Sequence, residues 1–159
     1  MQFQYGKQIS PDLIREFEAA HRIKLPPAYF SIAALHDGAA IEPHLCDVID
    51  PIDGTPTVIG CDQLIPFVGN EAEGGYTMDS ANGGSIDGLT KELIAFGIEA
   101  GGILFAFDYR RDQSTDDPPI VCYFGEYEDE FAIFPAASSF DAFLNSLRSE
   151  DDIVPPSHP

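Results

Sequence analysis

Gly101-Gly102-Ile103-Leu104-Phe105-Ala106-Phe107-Asp108-Tyr109-Arg110-Arg111 opens the stretch that decides the fold. A polar loop follows, then Pro118-Pro119-Ile120-Val121-Cys122-Tyr123-Phe124, an acidic turn, and Phe131-Ala132-Ile133-Phe134-Pro135. Short β-branched and aromatic runs separated by turn residues read as strands, here over 103–109, 120–124 and 131–134. Ser139 then caps a last helix that turns Phe140, Phe143, Leu144 and Leu147 inward. No nucleophile with its base, phosphate cradle or metal knot stands in this stretch. It is organised to present a surface, which favours binding over catalysis.

Working outward, Ser10-Pro11-Asp12 is a helix start: a capping hydroxyl, a proline at the first helical position and an acid that complements the dipole. Leu13, Ile14, Phe17 and Ala20 then recur at helical spacing. Pro26-Pro27 ends that segment and opens a second helix through Tyr29, Phe30, Ala33 and Ala34, with Gly38 as its stop. Phe3 to Tyr5 suits an edge strand, Thr57 to Ile59 a short strand, and Leu64 to Val68 another short element. Glu71 to Gly75 and Asn82-Gly83-Gly84 read as loops. Leu89, Leu93, Ile94 and Phe96 have helical spacing, which predicts a helix within Ile86 to Ala100 despite Gly88 and Gly97. The order predicts an α+β domain over residues 1–149, with helices on one face of a mainly antiparallel sheet. Residues 150–159 form an acidic, Pro-rich tail expected to fray.

Composition narrows the function. The chain has 159 residues, enough for one domain with its own core, and 44% hydrophobic content suits a folded globule. Asp and Glu number 27 against 8 Lys and Arg, for a formal net charge of −19. That balance argues against nucleic acid and against anionic membrane surfaces, both of which need clustered cations. It suits a basic protein partner, whose approach an acidic surface accelerates. Cys46, Cys61 and Cys122 are an odd set without close pairing, as expected of reduced thiols in a cytoplasmic protein. No signal peptide is expected, and no run is long enough to span a membrane.

Few residues suggest chemistry. His44, Cys46 and Asp47 lie close together but lack the ligand spacing of a zinc site, so no metal or other cofactor is expected. His21 and His36 fall at helix ends, and Asp50, Asp53 and Asp62 flank turns where Asp caps the backbone. The glycine pairs lack a dinucleotide-binding context. Two acidic clusters remain: Asp112, Asp116 and Asp117 between the first two C-terminal strands, and Glu126, Glu128, Asp129 and Glu130 in the next turn. In a meander these loops fall on opposite ends of the sheet. They are the candidate contacts for a partner, with nearby Tyr and Phe as anchors.

Several segments together resemble the SMI1/KNR4 (SUKH) superfamily. Leu25-Pro26-Pro27-Ala28-Tyr29-Phe30 with His36-Asp37-Gly38-Ala39 is similar to its Leu-Pro-x-x-Tyr and Asn-Gly-Gly pattern. Phe96-Gly97, Gly101-Gly102 and Phe105 to Arg110 look like its central strand. Pro118-Pro119-Ile120-Val121 and Ser139-Phe140-x-x-Phe143-Leu144 resemble its later strand and terminal helix. Tryptophan is absent, and the acidic, Gly-rich middle from Glu42 to Gly88 is long for the family. The resemblance implies a non-catalytic, protein-binding α+β domain. In bacteria such domains are largely immunity proteins that neutralise toxins, many of them nucleases; in fungi they regulate cell-wall synthesis. An immunity protein binding a basic toxin domain is therefore the first expectation, and a regulatory or scaffold module binding an endogenous protein the second. The residues do not indicate an oligomeric state.

Overall fold

A computed structural model describes residues 1–69 and 75–152. The expected loop over Glu71 to Gly75 lies mostly outside the described residues, as does the tail beyond Asp152. The first helix, α1 (Pro11–His21), starts as its sequence dictates: the Ser10 hydroxyl accepts the Asp12 N–H at 3.3 Å, and Ile14 and Phe17 are buried. It stops at Arg22, whose left-handed backbone (φ 55°) turns its N–H back to the last helical carbonyls. The Glu18 carboxylate then accepts the Leu25 N–H at 2.7 Å, fixing the corner before α2 (Pro27–Leu35). Tyr29 and Ala33 form the buried side of α2.

Seven strands form one antiparallel sheet: β1 (Gln2–Gln4), β2 (Ala40–Glu42), β5 (Gln63–Leu64), β6 (Leu93–Ile98), β7 (Leu104–Asp108), β8 (Ile120–Tyr123) and β9 (Ile133–Ala137), in that spatial order. A separate hairpin pairs β3 (Leu45–Ile49) with β4 (Pro56–Gly60). The α+β class and the antiparallel meander thus follow the sequence reading. The strand expected over Phe131 to Phe134 begins later, because Asp129–Ala132 first closes a 3-10 turn. Of the element expected over Leu64 to Val68, only Leu64 lies in a strand, the two-residue β5.

The helix expected within Ile86 to Ala100 is overturned. Leu93–Ile98 is strand β6, with all six residues buried. A strand covered on both faces is apolar throughout, so its side chains fall at helical spacings by chance. Gly97 is placed by contact: a Cβ there would lie 2.6 Å from the Cys61 sulfur. Where β5 runs out, Asn82 continues the ladder in its place. Its amide accepts the Ala95 N–H at 2.8 Å and donates to the Ala95 carbonyl at 3.0 Å. The preceding turn of helix, α3 (Met78–Ala81), is held by a Thr77–Ser80 capping box and brings Asn82 to that position.

Phe105 and Phe107 alternate with Leu104 and Ala106 along β7, so the rings share one face. On that face Phe107 stacks on Phe96 at 4.2 Å, and Tyr29 meets Phe96 and Phe107 edge-on at 5.7 and 5.0 Å. Phe140 and Phe143 of the last helix, α4 (Phe140–Ser146), close the cluster. The opposite face is thinner, with Leu93, Ala106 and Val121 covered by Leu89 and Ile133. Tyr109 is fully buried, and its hydroxyl donates to the Lys24 carbonyl at 2.5 Å, tying the end of β7 to the corner between α1 and α2.

The three cysteines are buried and unbridged, and burial pushes the Cys46 thiol up to about 11 and those of Cys61 and Cys122 higher than usual. Asp37, at 6% exposure, is the buried carboxylate among the described residues. It accepts the Phe67 and Val68 N–H groups at 2.7 and 3.0 Å, which offset part of the upward push that burial gives its carboxyl. Among the described residues no helix is long and apolar enough to cross a membrane.

Two substitutions test this core. Phe96→Ala should lower the unfolding free energy by about 3–5 kcal/mol, by loss of packing and the cavity left behind. Asn82→Ala should cost about 1–3 kcal/mol, because it strands backbone groups of a buried strand. Urea midpoints with unchanged m-values are the measurement; near-wild-type stability in either variant would contradict the assignment.

Candidate functional site

The sequence-chosen acids are all exposed, and they fall into two groups at opposite ends of β8. Asp112, Asp116 and Asp117 lie in the loop from β7 to β8. Asp112 is committed to its own turn: it accepts the Ser114 hydroxyl at 2.6 Å and the Ser114 N–H at 2.9 Å, which hold its carboxyl below the usual range. The loop also carries the chain's one adjacent basic pair. Arg110 grips Asp108 through two hydrogen bonds of 2.9 Å, and Arg111 stands exposed beside it. From Asp108 to Asp117 four carboxylates therefore face two guanidiniums. Burial alone would raise the Asp108 carboxyl. The Arg110 hydrogen bonds and the charges of Arg110 and Arg111 outweigh it and hold the group below its ordinary value.

Glu126, Glu128, Asp129 and Glu130 form the other group, in the turn from β8 to β9. None of them makes an ion pair among the described residues. Their turn is not isolated, because the Tyr127 hydroxyl donates to the Asp50 carboxylate at 3.2 Å. Asp50 begins the tip of the β3–β4 hairpin, so a segment far away in sequence joins this end of the sheet. Asp50 and Asp53 shape that tip by accepting the Ile52 and Thr55 N–H groups at 2.8 and 2.9 Å, which is the capping role their turn positions imply.

Sequence reasoning found the strand at Thr57 to Ile59, within β4, but not its partner β3 or the outward face of the hairpin. Cys46, Val48 and Ile59 point into the core. Its other side holds Asp47 opposite Val58 and Ile49 opposite Pro56. Ile49, Ile52 and Val58 are 56%, 60% and 38% exposed. The signal was present in the order Val48-Ile49: two adjacent apolar residues in a two-sided strand place one of them outward. Asp47 is paired with Arg148, whose backbone also pairs with Leu45.

Beside the hairpin lies a groove of about 620 Å³, between Val48, Ile49 and Pro56 on one wall and Pro119, Pro135 and Ala137 on the other. Those last three residues also line a pocket of about 290 Å³ that reaches Arg110, Arg111 and Asp112. The two hollows adjoin through those residues, and Asp112 is the sequence-chosen acid that lines the smaller one. Their floor is apolar, which suits anchoring a side chain better than activating a water.

His44 sits between two carboxylates, with Nδ1 3.0 Å from Glu42 and Nε2 3.6 Å from Asp62. Cys46 is turned into the core. Among the described residues no group of three His, Cys, Asp or Glu side chains could hold a metal ion.

The model described as the SMI1 / KNR4 family (SUKH-1) matches residues 8–146. That is most of the chain, which therefore belongs to this family. No curated protein matches it.

The Asp108–Arg110 pair gives a pH prediction. A carboxyl held below its unfolded value contributes stability that is present above about pH 4 and lost as pH falls through the folded value. Carboxyl-carbon NMR titration should place Asp108 below free Asp in the native chain and higher in Arg110→Gln. An unchanged midpoint in the variant would mean that the guanidinium does not set it.

Proposed function

We propose that this member of the SMI1/KNR4 family is a non-catalytic immunity protein that binds a cognate toxin domain and covers its basic surface. The observation that carries this reading is the placement of the charge. A chain of net charge −19 leaves Glu126, Glu128, Asp129 and Glu130 without an ion pair among the described residues at one end of its sheet, beside exposed apolar side chains. A nuclease or other toxin that holds an anionic substrate presents cations, and an acidic protein seated there competes for them. The three thiols, raised by burial, are poor nucleophiles. Binding without chemistry, by a single cytoplasmic domain over residues 1–149, is the economical account of such a chain.

Affinity capture from the source cells, at low and high salt, tests the reading together with survival of cells expressing the captured protein. A basic toxin domain should be retained in equimolar amount, lose roughly tenfold in affinity between low and moderate salt, and cease to kill when the chain is co-expressed. Retention of an endogenous regulator with no protection of the cell would make the chain a scaffold module instead.

A further inference from the structure

Either end of the sheet could in principle meet the partner, and the fold distinguishes them. We infer that the partner docks on the outward face of the β3–β4 hairpin and in the groove between that hairpin and β9, inserting an apolar side chain flanked by Lys or Arg. This rests on the protein-binding reading above and assigns that reading its surface.

Three independent observations converge on the hairpin. The first is apolar exposure. Within the ten residues from Ile49 to Val58, three large aliphatic side chains face solvent, whereas the hairpin's inward residues Cys46, Val48 and Ile59 are buried. Exposed apolar side chains gathered on one element and rimmed by acids are characteristic of an interface.

The second is shape. The outward face runs into the groove of about 620 Å³ walled by Ile49 and Pro56 on one side and Pro135 and Ala137 on the other. Such a hollow can desolvate an anchoring side chain, which is where binding free energy concentrates.

The third is charge. Asp50 and Asp53 stand at the hairpin tip, and the Tyr127–Asp50 hydrogen bond holds the tip against the turn that bears Glu126, Glu128, Asp129 and Glu130. These six carboxylates make no ion pair among the described residues. The loop from β7 to β8 differs, since it carries two guanidiniums of its own, one of them paired with Asp108. A cationic partner therefore finds its complement at the hairpin end, and the β7–β8 loop only borders the groove.

NMR titration of the full-length, isotope-labelled chain with a synthetic peptide of alternating Lys and Leu tests the assignment, with an otherwise identical Glu–Leu peptide as control. Backbone resonances of residues 47–58 and 133–138 should shift with the Lys peptide and stay put with the Glu peptide. The double variant Ile49→Ser/Val58→Ser, which removes apolar surface without changing charge, should weaken the Lys peptide about tenfold or more, as loss of an apolar anchor does. The triple variant Asp112→Asn/Asp116→Asn/Asp117→Asn should change it less than about twofold, as expected of charges at the rim.

Shifts centred on the β7–β8 loop, shifts spread evenly over the surface, or no binding at low salt would each overturn the proposal. The native-chain shift map stands even if a variant folds poorly. Failure of the surface and failure of the function also separate. A toxin held equally by the native chain and the double variant refutes the surface alone. Binding at the hairpin by a chain that protects no cell refutes the immunity role alone.

Discussion

The stack of Phe96 on Phe107, at 4.2 Å, is the contact around which the molecule is assembled. It joins the two central strands face to helix, and each later piece is positioned by touching it. Tyr29 brings α2, and Phe140 and Phe143 bring α4. Both helices depend on this cluster more than on their own propensity, because helices of nine and seven residues are too short to persist alone. With no tryptophan available, rings packed edge to face supply the large buried area that a chain of this size requires.

A second constraint is the economy of the sheet between β5 and β6. Two residues of β5 cannot pair the length of β6, and a buried strand does not tolerate unpaired backbone. Ile65 donates to the Phe96 carbonyl, and Asn82 then substitutes for the missing strand at Ala95. Ile65 and Asn82 are thereby held at the sheet. The buried Asp37 does similar work at the end of α2, taking the N–H groups of Phe67 and Val68 where the chain leaves β5.

Charge is distributed by the same architecture. The antiparallel meander sends successive loops to opposite ends, so the acids of the β7–β8 loop and those of the β8–β9 turn stay apart. What joins the turn is the hairpin of β3 and β4, brought over by Tyr127 and by the pairing of Leu45 with Arg148. The candidate surface is consequently built from segments distant in sequence, Asp50 and Tyr127 being 77 residues apart, with apolar side chains from one and carboxylates from both.

The sequence by itself determined the elements whose signals are local. Ser10 and Ser139 cap helices through their own hydroxyls, Pro26-Pro27 forces the corner, and Ile103 to Phe134 alternates turn chemistry with β-rich runs. It also determined the excess of acid, and its segments carried the family resemblance. Only the tertiary structure decided that Leu93–Ile98 is a strand, since a segment buried on both faces has no amphipathic period to read. Likewise only the fold made Asn82 a surrogate strand and left Ile49, Ile52 and Val58 exposed, because partnership and exposure are properties of neighbours distant in the chain.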